Sequence, residues 1–149
     1  MKEKILVSSC LLGHNVKYDG KNNKIDLKEL EEKYELIPFC PEVEGGLPIP
    51  RIPSEIVSFS PLKVINKKGE DVTDNFLKGA KKCVEVVKKY NIKKALLKSK
   101  SPSCGKDGVY DGTFSKNIIK KDGVSVMFLK KENVEIFDET QIDELLAKK

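Results

Sequence analysis

The sequence predicts an α/β fold: a single three-layer domain spanning residues 1–149, with a mainly parallel sheet and Rossmann-like alternation of strands and helices. Three observations predict it. Short apolar runs of strand length recur at Ile5–Val7, Leu36–Phe39, Ala95–Leu97 and Val134–Phe137. Segments with three-four apolar spacing lie between them, as helical crossovers between parallel strands require. The first three runs also lead into small residues, proline or glycine, which mark tight turns at strand exits.

Lys4–Ser8 reads as the first strand, and Cys10–Gly13 as its exit turn. Residues His14 to Asn23 are polar and turn-rich, a loop. Asp26 is placed to cap a helix whose face carries Leu27, Leu30 and Tyr34. Glu35–Phe39 is the second strand and leads into Cys40. From Pro41 to Pro53 the chain holds four prolines, Pro41, Pro48, Pro50 and Pro53, and the Gly45-Gly46 pair, so we expect neither helix nor central strand there. A loop of that length in a small domain usually carries function.

Glu55–Phe59 and Leu62–Asn66 alternate as short strands, with Lys67–Glu70 a hairpin-like turn. Thr73 should cap a long helix, Asp74–Tyr90, whose stripe is Phe76, Leu77, Ala80, Cys83, Val84 and Val87. Cys83 is read as a core residue of that stripe. Lys94–Lys98 is the third strand, leading into Ser101-Pro102-Ser103-Cys104-Gly105, and another loop follows to Gly112. Ile118-Ile119 and Val124–Leu129 fit helix or strand; we favour helices. A crossover is needed before the Val134–Phe137 strand. Thr140–Ala147 is a terminal helix.

Composition narrows the function. The chain is 39% hydrophobic and 34% charged, and no run approaches the ~20 apolar residues of a membrane helix. Met1-Lys2-Glu3-Lys4 is too charged for a signal peptide, so a cytoplasmic location is expected. The net charge of +5 comes from scattered lysine pairs, a solvated surface. That charge is compatible with anionic substrates or RNA. RNA is not the favoured partner, since neither an aromatic stacking platform nor a concentrated basic stripe is present. Oligomeric state is not legible.

Of the four cysteines, Cys10, Cys40 and Cys104 sit in turns just past apolar runs rather than on apolar faces. In an open parallel sheet, side chains beyond the carboxyl ends of the strands converge on one crevice. Three cysteines so placed can meet. A cytoplasmic chain has little use for disulfides, and the absence of a C-x-x-C pair disfavours thiol redox chemistry. Metal binding remains. Three thiolates with His14, the only histidine, would make a Cys3His zinc site; three thiolates alone would hold an iron–sulfur cluster with one iron open. Ligand counting leaves these two close. A tripeptide echo accompanies them: Tyr18-Asp19-Gly20 after Cys10, Tyr110-Asp111-Gly112 after Cys104.

Ser9-Cys10-Leu11-Leu12-Gly13, Cys40-Pro41-Glu42-Val43-Glu44-Gly45-Gly46-Leu47-Pro48-Ile49-Pro50-Arg51 and Ser101-Pro102-Ser103-Cys104-Gly105, with both Tyr-Asp-Gly triplets, resemble one family. Its characterised members are thiouracil desulfidases. The resemblance runs over nearly the whole chain; Lys17 stands where the family often has Arg. It implies a 4Fe-4S cluster on Cys10, Cys40 and Cys104, with a small thiolated nucleobase as substrate. It further implies that water replaces the sulfur, which leaves as sulfide on the open iron with no net redox change. By motif position the catalytic carboxylate and serine fall on Glu42 and Ser101. Ser103, Arg51 and Glu44 are candidates for the substrate, and Glu44 is the rival base. The alternative is a non-catalytic zinc or iron–sulfur module that binds RNA.

Overall fold

A computed structural model describes residues 2–148. Its centre is a four-stranded, all-parallel sheet in the order β2-β1-β5-β8, built from β1 (Glu3–Ser8), β2 (Tyr34–Phe39), β5 (Lys94–Leu97) and β8 (Glu135–Asp138). Strand alternation divides the apolar runs between two faces. Ile5, Val7, Leu96 and Phe137 pack against Leu30 of α1 (Lys28–Lys33) and Leu145 of α5 (Ile142–Leu146). Leu6, Ala95, Leu97 and Ile136 pack against Cys83 and Val87 of α3 (Thr73–Lys89) and Val126 and Leu129 of α4 (Val124–Lys131). Each fully buried Leu or Ile contributes roughly 1.5–3 kcal/mol. The expected three-layer α/β architecture is the observed one.

The chain leaves β1 towards β2, then returns across β1 to β5. The direction of strand addition therefore reverses at β1, and the loops on either side diverge at its carboxyl end. Such a switch point is where open α/β sheets form their ligand crevice.

Two small antiparallel pairs lie outside the sheet: β3 (Ser54–Phe59) with β4 (Leu62–Asn66), and β6 (Val109–Tyr110) with β7 (Ile118–Ile119). Ile118-Ile119 is thus a strand, not the helix expected. It is only two residues long and its partner lies across a polar loop, so periodicity had nothing to register. Val124–Lys131 is the helix expected.

The segment expected to lack helix holds one turn of it, α2 (Pro41–Glu44). Proline fits there because it stands at the first helical position, where its missing N–H bonds nothing anyway. Thr73 is not the cap of its helix, and Asp26 acts from one position before the cap of its own. Leu27 and Val72 occupy those positions, and the carboxylates one residue earlier do the work: Asp26 accepts from Lys28 N and Asp71 from Thr73 N. The Thr73 hydroxyl instead accepts from Val64 N of β4 at 2.9 Å. Cys83 is core, as expected, and burial pushes its thiol up to about 12. Among the described residues no helix is long and apolar enough to cross a membrane.

Candidate functional site

The carboxyl ends of β2, β1 and β5 are neighbours, and the segments that follow them carry Cys40, Cys10 and Cys104 in turn. All three cysteines are free and line one cavity of about 510 Å³. Cys10 sits in a 3-10 turn, Ser9–Leu12, closed by Gly13 in the left-handed region. Cys40 precedes α2 as its N-cap. Cys104 lies in a turn pinned from two sides. Within the turn, the Ser101 hydroxyl accepts from Ser103 N at 3.1 Å and Cys104 N at 3.0 Å. From outside, Val124 N and Ser125 N at the start of α4 donate to the carbonyls of Pro102 and Ser103.

The Cys40 turn is fixed by contact with α3. A Cβ built on Gly79 would stand 2.0 Å from the Pro41 carbonyl oxygen, so only glycine lets the two backbones approach this closely. Asn75, one turn earlier on α3, donates its side-chain amide to Gly45 O at 2.9 Å. The sheet and α3 together determine where Cys40 and Glu42 stand.

Burial pushes all three thiols up, and the Cys104 thiol furthest, with Cys40 and Cys10 each adding repulsion. Asn23 Nδ2 donates to Cys10 Sγ at 3.4 Å, and Ser103 Oγ lies 3.7 Å from Cys104 Sγ. Three desolvated thiols, one of which feels the charge of the other two, suit thiolates only when a cationic centre is bound between them. Among the described residues no group of three His, Cys, Asp or Glu side chains could hold a single metal ion. Three thiolates without a fourth protein ligand fit an iron–sulfur cluster with one open iron better than the closed four-ligand site that structural zinc takes. His14, exposed and outside the cavity lining, does not complete a Cys3His set.

Beside the cysteines runs a connected polar chain. Arg51 Nε donates to Glu42 Oε1 at 3.1 Å, and Ser103 Oγ donates to Glu42 Oε2 at 3.0 Å. Ser103 Oγ and Ser101 Oγ are 3.0 Å apart. Ser101 Oγ already takes two backbone N–H groups, which occupy its lone pairs, so its own proton points to Ser103. The order is therefore Ser101 to Ser103 to Glu42, with Arg51 closing the far side. Arg51 also donates to the carbonyls of Val16 and Pro48. Its side chain is only 7% exposed and that of Glu42 14%, so the pair is largely shielded from solvent.

A family model described as 2-thiouracil desulfurase matches residues 5–141. The chain belongs to that family. It is also similar to the uncharacterized protein YbbK of Bacillus subtilis (strain 168), at 34% identity over 150 residues, covering 95% of this chain and 99% of that protein. Among solved structures it is similar to a 4Fe-4S-dependent thiouracil desulfidase, TudS, at 39% identity and a TM-score of 0.91, covering 97% and 95% of the two chains. The resemblance read from the motifs is thus borne out along nearly the whole chain.

In this desulfurase-family chain the cavity brings together Cys10, Cys40, Cys104, Glu42, Ser101, Ser103 and Arg51. It does not include Glu44, which is exposed on the one-turn α2. Tyr18 and Tyr110 of the echoed triplets both line the cavity, and Gly20 and Gly112 both take positive φ.

Several lining residues carried no signal in the sequence. Asn23 closes a run of polar residues that reads only as loop. Lys98 pairs with Glu139 at 2.9 Å, a residue 41 positions away that nothing local connects to it. Glu55 sits in a strand and reads as one more alternating polar position.

Proposed function

We propose that this chain is a 4Fe-4S-dependent thiouracil desulfidase, exchanging the sulfur of a thiolated pyrimidine for the oxygen of water. The overall reaction balances as thiouracil plus water giving uracil plus hydrogen sulfide, with no net electron transfer. Cys10, Cys40 and Cys104 would hold the cluster. When bound, it would supply one iron without a protein ligand, soft enough to take the substrate's sulfur and polarise the carbon–sulfur bond.

The remaining roles fall to the protein's own side chains. Glu42 is the base that takes the proton of the attacking water. Arg51 anchors Glu42 Oε1, which leaves Oε2 as the oxygen facing the serines. Ser103 and Ser101 form the relay through which a proton on Glu42 can be shared and released. Glu42 ranks above Glu44 because it lines the cavity and Glu44 does not. Glu42 and Arg51 are largely shielded from solvent, which strengthens the contact between them.

What carries this reading is the meeting of three loop cysteines, from three adjacent strand ends, with a hydrogen-bonded carboxylate in one cavity. The test is sulfide release from thiouracil by protein prepared without oxygen. A Cys40→Ala variant should lose cluster and activity together, whereas Glu42→Ala should keep the cluster and lose turnover. Normal turnover by Glu42→Ala would refute the assignment of the base. Wild-type protein that carries a cluster but releases no sulfide from any thiolated pyrimidine would refute the activity.

A further inference from the structure

Glu55 is a largely buried carboxylate that no step above uses. On β3 the side chains alternate between two sides. Ile56 enters the core with Val64, Phe76 and Ala80, so Glu55 turns the other way and lines the cavity. It is only 8% exposed. Its Oε1 accepts two backbone donors, Gly112 N at 2.9 Å and Phe114 N at 3.2 Å. Gly112 makes that docking feasible, because its φ is +92° and a Cβ there would stand 2.8 Å from Ile56 O.

One carboxylate oxygen is therefore committed to the loop that carries Phe114, and Oε2 accepts no hydrogen bond among the described residues. That oxygen is not among the buried side-chain atoms left without a partner, so it keeps solvent access from the cavity and is open to a ligand's donor. In any thiouracil, the carbon that bears sulfur is bonded to at least one ring N–H. A fixed carboxylate oxygen is the natural acceptor for such a group, and the neutral base brings no charge of its own.

We propose that Glu55 is a specificity-determining residue, whose Oε2 accepts a ring N–H of the thiolated pyrimidine; this rests on the desulfidase reading. The site then selects bases that keep that N–H and rejects those that carry an alkyl group there. Sites built to receive a hydrogen bond discriminate strongly against analogues that cannot make it. Glutamine at position 55 can still accept Gly112 N and Phe114 N through its carbonyl, but offers an NH2 group where the ligand's donor arrives.

The experiment is titration calorimetry of the cluster-loaded protein with 2-thiouracil and its N1-methyl and N3-methyl derivatives, with sulfide release recorded on the same samples. Wild type should bind 2-thiouracil at least about tenfold tighter than one of the methyl derivatives. Glu55→Gln should lose at least about tenfold in affinity for 2-thiouracil, and the gap to that derivative should close, at an unchanged melting temperature. Glu55→Gln that keeps both affinity and discrimination overturns the proposal. Should that variant fail to fold, the wild-type series decides alone: equal affinity for all three bases, or for none, overturns it. Discrimination without sulfide release would refute the activity and leave the Glu55 assignment standing; release without discrimination would overturn Glu55 alone.

Discussion

Ser103 Oγ donates to Glu42 Oε2 at 3.0 Å across 61 positions of sequence, joining the turn that holds Cys104 to the helix that follows Cys40. The contact makes the proposed base and two proposed cluster ligands parts of one arrangement. Removing it should therefore change turnover more than stability. Ser103→Ala, in a buried site, leaves Glu42 Oε2 and the Ser101 hydroxyl each short of a partner. We expect kcat for sulfide release to fall by about 100-fold, the lower end of what a positioned acid–base group contributes. The cluster's visible absorption should stay intact. Loss of colour in Ser103→Ala would reassign the residue to cluster retention.

Arg51 tests the other side of Glu42. Its side chain joins Glu42 to the carbonyls of Val16 and Pro48, so it fastens α2 and two loops together. Arg51→Met should lower the melting temperature and turnover together, because it strands a largely shielded carboxylate at a cost of about 3 kcal/mol. Arg51→Lys keeps the charge but loses the fork, and should recover stability better than turnover. Equal recovery of both would argue that charge alone, not geometry, is what Glu42 needs.

Gly79 lies in α3, outside the cavity lining, yet it sets the height of the Cys40 turn. Gly79→Ala places a methyl 2.0 Å from Pro41 O, against backbone rather than a movable side chain. Overpacking of this kind costs typically about 1–3 kcal/mol. Thermal unfolding should show that loss, and iron retention should fall with it as Cys40 and Glu42 are displaced. An unchanged melting temperature would mean that α2 yields freely.

Much of this was legible from residues alone, and what was not has physical causes. The parallel sheet was readable because its four strands are nearly continuous apolar runs, the mark of strands buried on both faces. The cysteines were readable because they stand at strand exits, where the fold gathers side chains. Ile118-Ile119 was misread because a two-residue strand has no period to detect. The Pro41 turn was missed because proline forbids a helix's interior but not its first position. Asn23, Glu55 and the Lys98–Glu139 pair were silent because each acts through a partner distant in sequence. Gly79 gave no sign either: only the packed structure shows that its missing Cβ is where Pro41 O sits.

Glu139, beside the cavity, gives stability a pH dependence of its own. Burial opposes its charge, but Lys98 Nζ and the N–H and hydroxyl of Ser99 more than compensate, holding its carboxyl below the ordinary 4.5. A carboxylate whose folded value lies below its unfolded one stabilises the fold above the unfolded value and loses that contribution as pH falls towards the folded one. Stability should therefore decline on acidification through and below about pH 4.5. Glu139→Gln should flatten that decline in melts taken across the range. An identical slope in the variant would remove Glu139 from the account.

The claim on which the rest depends is that Cys10, Cys40 and Cys104 hold one iron–sulfur cage. Its most direct measurement is the iron, acid-labile sulfide and zinc content of protein purified without oxygen, for wild type and Cys40→Ala side by side. The account predicts about four iron and four sulfide per wild-type chain, brown colour, and loss of both metal and colour in Cys40→Ala. Colourless wild-type protein carrying one zinc per chain would contradict it.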